Sequence, residues 1–270
     1  MLSGKNSCIS FVASFVLIAN ASGQSAKPVA PQSAKPVAAV RSAAIPRLAD
    51  GKPNFNGIWQ SISGADVDLQ DHAANAYAPG AQSVVEEHEI PYLPDALKQR
   101  QANFEQRRTA DTETAKGDLP GVPRITYAHN LPFQIFQLPK GDKITVLYEY
   151  AGAHRFFYTN GTAHPPGHIN WWLGDSRAKW DGDTLVVDSV DFLDDTWFDH
   201  AGDFHSQDLH VVERYKLLDA DHIDYRVEID DPKTFTKPWH IDLILYRRIE
   251  KNFQLLDYYS YAFPIYKYYP

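Results

Sequence analysis

From about residue 125 onward, apolar and polar positions alternate in short runs separated by turns. "PFQIFQLP", "KITVLYEY", "HRFFYT", "DTLVVDSV", "LHVVERYKL", "HIDYRVEID", "HIDLILYRR" and "NFQLLDYYSYA" are rich in β-branched and aromatic residues, the types that favour a pleated, half-buried surface. The alternation is cleanest in 222–229. Ile223, Tyr225, Val227 and Ile229 fall on one face of a strand there, and His222, Asp224, Arg226 and Glu228 on the other. Turn residues sit between the runs: "KGDK" at 140–143, "NG" at 160–161, "DGD" at 181–183 and "DADH" at 219–222. Eight or more sequential strands without intervening helices predict an antiparallel sheet that closes into a barrel or folds into a sandwich.

Before residue 125 the pattern is polar and interrupted by proline, with one helix. "LPDALKQRQANFEQRR" has a proline at its start, an acidic first turn and a basic last turn, as the helix dipole favours. The following "TADTETAKGDLPGVP" is expected to be loop. Gly57-Ile58-Trp59 opens the first strand-like run, and a G-x-W near the start of a domain is a mark of lipocalin-like barrels. The expected fold is therefore mainly β: an antiparallel, lipocalin-like (calycin-type) β-barrel with one or two peripheral helices. A barrel of that size encloses room for a small ligand.

The N-terminus follows other rules. Lys5, then the apolar "CISFVASFVLIANASG" ending in Ala19-Asn20-Ala21, reads as a cleavable signal peptide over 1–23, and the apolar run is too short to span a bilayer. Residues 24–45 contain the duplication "QSAKPVAPQSAKPVAAV", an Ala/Pro linker without periodicity that is expected to be disordered. A single β-barrel domain then occupies 46–270. The chain is expected to be periplasmic or secreted, with no stable membrane span once the signal is removed. Its one cysteine, Cys8, lies inside the signal, so the mature chain has no thiol for a disulfide, a nucleophile or a metal.

Composition narrows function mainly by exclusion. With 44% apolar residues the chain can build a full core, and a formal charge of −8 argues against a nucleic-acid partner. No glycine-rich phosphate loop, G-x-S-x-G elbow or G-x-G-x-x-G appears, so no cofactor is expected and serine-hydrolase chemistry is set aside.

"RLADGKPNFNGIW", "LPGVPR", "TNGTAHP", "WWLGDSRAKWDGDTLVVDS", "FLDDTWFDHAGDFHSQDLHVVERY" and "DDPKTFTKPW" together resemble a large family of exported, mostly uncharacterised bacterial proteins. The resemblance spans about residues 46–260 and implies a lipocalin-like β-barrel, with no settled reaction. The chain departs from the family pattern where Asp118 and Ser260 replace two cysteines, as loss of a bridge between them would look. It departs again at Asp195 and Leu193, where the family has a basic residue and an asparagine.

The densest chemistry is "DDTWFDHAGDFHSQDLHVVERY", 194–215, with His200, His205 and His210 five positions apart. Five residues turn a helix through about 500° and reverse the face of a strand, so this rhythm cannot present a linear metal motif. No metal is expected, unless a loop folding back gathers the ligands. Acid–base chemistry fits better, with His205 oriented by Asp199 or Asp194 as the general base or acid, and His154 and His210 as the next candidates. On the strand after the loop, either His210 and Arg214 or Tyr215 and the carboxylate of Glu213 face inward. Tyr148 and Arg155 would hold a polar group, with His164, Trp171 and Trp197 beside an apolar ligand. The expectation is a cofactor-free lyase or isomerase acting on a small, largely apolar or aromatic molecule by elimination, isomerisation, cyclisation or hydration. The alternative is a non-catalytic periplasmic carrier of lipocalin type.

Overall fold

The computed structural model describes residues 44–74, 79–167 and 169–257, which lie within one compact unit, Ser42–Pro270. The expected signal peptide, nearly all of the linker, and Ser260 fall outside them. Nine strands close into a barrel in sequence order: β1 (Gly57–Ser61), β2 (Phe133–Phe136), β3 (Lys143–Tyr148), β4 (His154–Tyr158), β5 (Asp175–Asp181), β6 (Thr184–Val190), β7 (His210–Leu217), β8 (His222–Asp230) and β9 (Trp239–Arg247). Two helices accompany it, α1 (Pro94–Ala110) and α2 (Thr112–Lys116).

The mainly β barrel with peripheral helices is as the pattern predicts, but the sheet is not wholly antiparallel. Each antiparallel neighbour reverses strand direction, and a closed ring needs an even number of reversals. Nine strands therefore cannot all pair antiparallel. The odd joint is β4 with β5, which run parallel through a single registered pair, Tyr158↔Arg177. The β4–β5 connection must consequently climb back along the barrel, and it carries Trp171 and Trp172. The connections 62–132, 191–209 and 231–238 gather with the 149–153 turn at one end, here called the mouth.

Three local expectations change. Strand β5 (DSRAKWD) escapes a hydrophobicity reading because its inward residues include Ser176 and Ala178. Helix α2 replaces part of the expected loop, started by Asp111, whose side chain accepts from Glu113 N–H, and ended by Gly117 in a left-handed conformation. The expected last strand does not form over 252–257; its remainder lies outside the described residues.

The G-x-W run closes the far end of the barrel. Trp59 is fully buried, and the Arg247 guanidinium lies 4.1 Å from its ring centroid. Arg247 Nη1 also donates to Asn56 O at 2.6 Å. Gly57 adopts φ +140°, a conformation that strains any residue with a Cβ, and a side chain there would also meet that guanidinium.

The interior is filled rather than hollow. Trp59, Phe133, Tyr148, Phe157, Tyr215 and Tyr225 are withdrawn from solvent inside it. On β7, Val211, Glu213, Tyr215 and Leu217 point inward, while His210 and Arg214 do not. Of the two readings of this strand, the buried carboxylate holds. Glu213 accepts from Arg155 Nη1 at 3.1 Å and Nη2 at 2.6 Å, and from the hydroxyls of Tyr215 at 2.9 Å and Tyr225 at 2.8 Å. Arg155 also donates to Ser176 and Ser189. Removing one partner of such a pair strands a charge in the core, at a cost of about 3–5 kcal/mol. Glu213→Ala should lower the urea unfolding free energy by that order, whereas Arg155→Met with Glu213→Leu should lose much less; a double variant as unstable as the single would contradict this account.

Candidate functional site

At the mouth, a cleft of about 1390 Å³ opens between the 62–72 segment, the two helices and the loop around His200. Its floor is organised by Arg124, which is 1% exposed. The short 3-10 turn Arg124–Thr126 drives this side chain inward. Nε donates to Asp66 Oδ1 at 2.9 Å, Nη1 to Asp111 Oδ1 at 3.2 Å, and Nη2 to Asp111 Oδ2 at 3.2 Å and Glu113 Oε2 at 3.4 Å. Three carboxylates, Asp66 from the segment after β1 and Asp111 with Glu113 from the start of α2, thus share one buried guanidinium. Burial alone would push Asp66, Asp111 and Glu113 up, but the Arg124 charge and the histidine partners override it. All three are held below the usual carboxylate range.

Two histidines complete the cluster. His129 Nε2 lies 2.8 Å from Glu113 Oε1, which also accepts from Tyr150 OH at 2.6 Å. The imidazole stacks on Tyr150 with centroids 6.0 Å apart. Its backbone has φ +51°, a left-handed conformation costly for a residue with a Cβ, and its N–H donates to Asp66 Oδ2 at 2.9 Å. The hydrogen bond to Glu113 raises the His129 pKa above the ordinary imidazole value. His200 Nδ1 lies 2.9 Å from Asp111 Oδ2, and Nε2 lies 3.4 Å from Asp66 Oδ2. Burial opposes its charge, but the bonds to Asp111 and Asp66 win over that and over the nearby Arg124, and lift the pKa to about 9. The rings of His129 and His200 stand 5.7 Å apart. His129 is the more open of the two, with 47% of its side chain exposed to the cleft.

The residues expected to form the site are dispersed. His205 is buried against Phe198 and Phe192, and burial lowers its pKa. A neutral ring satisfies its contacts: Nδ1–H donates to Ser206 O at 2.9 Å and Nε2 accepts from Thr196 Oγ1 at 2.9 Å. Asp199 does not orient it. That carboxylate is spent on the backbone N–H groups of Leu69, Ala201 and Asp203. Asp194 pairs with Gln207 instead. The proposed His205–aspartate couple is therefore absent, because each member has closed its own loop.

His154 points outward from β4 and packs on Phe156. His210 and His164 share Asp188 on the outer face of β6 and β7, each with Nε2 at 3.1 Å from Oδ1. Trp197 is buried beside Phe204. Tyr148, Arg155 and Glu213 do converge, but buried in the barrel interior. Arg155, His154 and Trp171 also meet at a smaller cleft of about 440 Å³, where β4 and β5 separate, together with Trp172, Phe156 and Ser176.

Asp66, Asp111, Glu113, Arg124 and His129 were not expected as site residues. The one signal was Arg124, a charge in the otherwise apolar "GVPRITYA".

No family model and no curated protein matches the chain. Among solved structures, secretory abundant heat soluble protein 4 from Ramazzottius varieornatus matches with 12% identity and a TM-score of 0.32, over 72% of this chain and 94% of that one. A likeness that loose bears on neither fold nor function. No helix among the described residues is long and apolar enough to cross a membrane.

The elevated His129 pKa depends on Glu113, so the ring should titrate above the ordinary imidazole range in a histidine-resolved NMR titration. Glu113→Gln should bring it down. The sign follows: a pKa raised on folding adds stability below the unfolded value and loses it as pH rises through the folded one.

Proposed function

We propose that the protein is an enzyme using acid–base catalysis, without an organic cofactor, on a small molecule bound in the mouth cleft. His129 is the group that moves the proton. It is held by Glu113, stacked on Tyr150 and open to the cleft. That triple constraint, bought with a left-handed backbone, is the observation that carries the reading. His200 and the carboxylates behind it fix the electrostatics around the reacting group. Ser63 and Asn130 offer polar contacts at the rim, while Val67 and Phe104 offer apolar surface. The substrate is therefore a small organic molecule with a hydroxyl or carbonyl at its reacting end and an apolar remainder. Elimination, isomerisation, cyclisation and hydration all have this requirement.

The carrier alternative loses its usual chamber, since the barrel interior is filled by aromatic side chains and the Arg155–Glu213 pair. What favours it is the tryptophan-lined cleft between β4 and β5, which suits an aromatic ligand on the barrel's flank.

Native mass spectrometry of the protein from its host would identify a retained molecule, whose conversion can then be assayed. His129→Gln should reduce turnover by about 10²–10⁴-fold, the usual contribution of a positioned proton-transfer group. His154→Ala, on the outer face, should leave turnover unchanged. A ligand that is retained but never converted, and released by Trp171→Ala, would decide for the carrier. With His129 acting as the acid, activity should persist above the ordinary imidazole range and fall on the alkaline side, and that fall should move to lower pH in Glu113→Gln.

A further inference from the structure

The Arg124 cluster holds its own cation, the guanidinium. A second carboxylate cluster beside it does not balance. Asp68, Asp199 and Asp203 each present an oxygen within 4.8 Å of the others. Asp199 and Asp203 are fully buried, whereas the Asp68 side chain is 18% exposed and lines the mouth cleft.

Donors are distributed unevenly around the three. Asp199 accepts from the N–H groups of Leu69, Ala201 and Asp203. Asp68 Oδ1 accepts from Gln70 N–H. Asp203 Oδ1 accepts from Tyr92 OH at 2.8 Å and Arg100 Nε at 3.0 Å. Asp203 Oδ2, by contrast, is buried and meets no donor among the described residues, in a cluster where one oxygen of each carboxylate lies within 4.8 Å of the others. Arg100, whose Nη2 is also 3.6 Å from Asp68 Oδ2, supplies one positive charge against three negative.

A buried oxygen with spare lone pairs and no donor is costly unless something positive sits against it. A proton shared between Asp199 and Asp203 would cap that oxygen. Three backbone N–H groups on Asp199, and a guanidinium with a phenol on Asp203, favour the ionised forms, against the burial of both carboxyls and their mutual repulsion, which favour the proton. Removing one charge by protonation would still leave the cluster negative. The Asp68 side, facing the cleft, provides an entry path and room for water ligands.

We propose that Asp68, Asp199 and Asp203 bind a hard divalent cation of the calcium class, with water from the cleft completing its shell. Carboxylate oxygens are the ligands such an ion selects, and calcium tolerates an irregular shell better than magnesium. The cation would tie the 66–72 segment to the 199–203 turn and, through Arg100, to α1. The inference stands apart from the catalytic reading, because its test measures binding and stability rather than turnover.

The full protein, stripped with EDTA and exchanged into metal-free buffer, would be titrated with calcium chloride by calorimetry and thermal unfolding. Terbium luminescence, sensitised by nearby Tyr92, gives a direct report that calcium should compete away. The expected result is one saturable site, a rise in Tm on calcium addition, and loss of both in Asp203→Asn and Asp68→Asn. Should Asp203→Asn fail to fold, Asp68→Asn at the rim carries the test alone. No calcium heat and no Tm shift in the wild type would overturn the proposal, as would wild-type binding by either variant. An Asp203→Asn protein more stable than the calcium-free wild type, with no calcium response in either, would assign the site to a shared proton and overturn it equally.

Discussion

The guanidinium of Arg124 is withdrawn from water while remaining charged, so its donors have to be met by the protein. Meeting them draws Asp66 from the segment after β1, Asp111 from the junction of the helices and Glu113 from α2 to one point. Few other side chains could impose this, since a planar fork with donors on several sides fixes partners in direction as well as distance. The three carboxylates it gathers exceed its own charge, and that surplus attracts His129 and His200. The same imbalance that seats these rings also raises their pKa values, so structure and acid–base character have one origin.

The barrel was legible because it depends on a period of two, which a strand such as 222–230 displays without tertiary information. The strand that escaped, β5, turns Ser176 and Ala178 inward, and small polar residues carry little hydrophobic signal. Parity, too, was hidden: whether eight or nine strands close the ring depends on β5, and the parallel joint follows from that count.

The site was legible only in fragments. Three histidines spaced by five meet three fates: His200 enters the mouth cluster, His205 packs neutral in the core and His210 stands on the outer surface. Local spacing could exclude a linear motif but could not assign these destinations, which are set where a loop passes into a strand. Asp66 and Arg124 are 58 residues apart, and Arg124 and His200 are 76 apart. Contacts at such separations are properties of the closed barrel. Tyr148, Arg155 and Glu213, expected to hold a ligand's polar group, instead lie in the barrel interior, where Arg155 and Glu213 pair with each other.

The parallel joint between β4 and β5 gives the barrel a direction of weakness. Its other joints are ladders, each opposing separation with a row of hydrogen bonds, whereas this one is fastened at Tyr158 and Arg177 alone. In mechanical terms the barrel is a hoop whose β4–β5 seam is held by a single weld. Trp171 lies beside that weld, and Arg155, whose charge Glu213 holds in the interior, lies behind it.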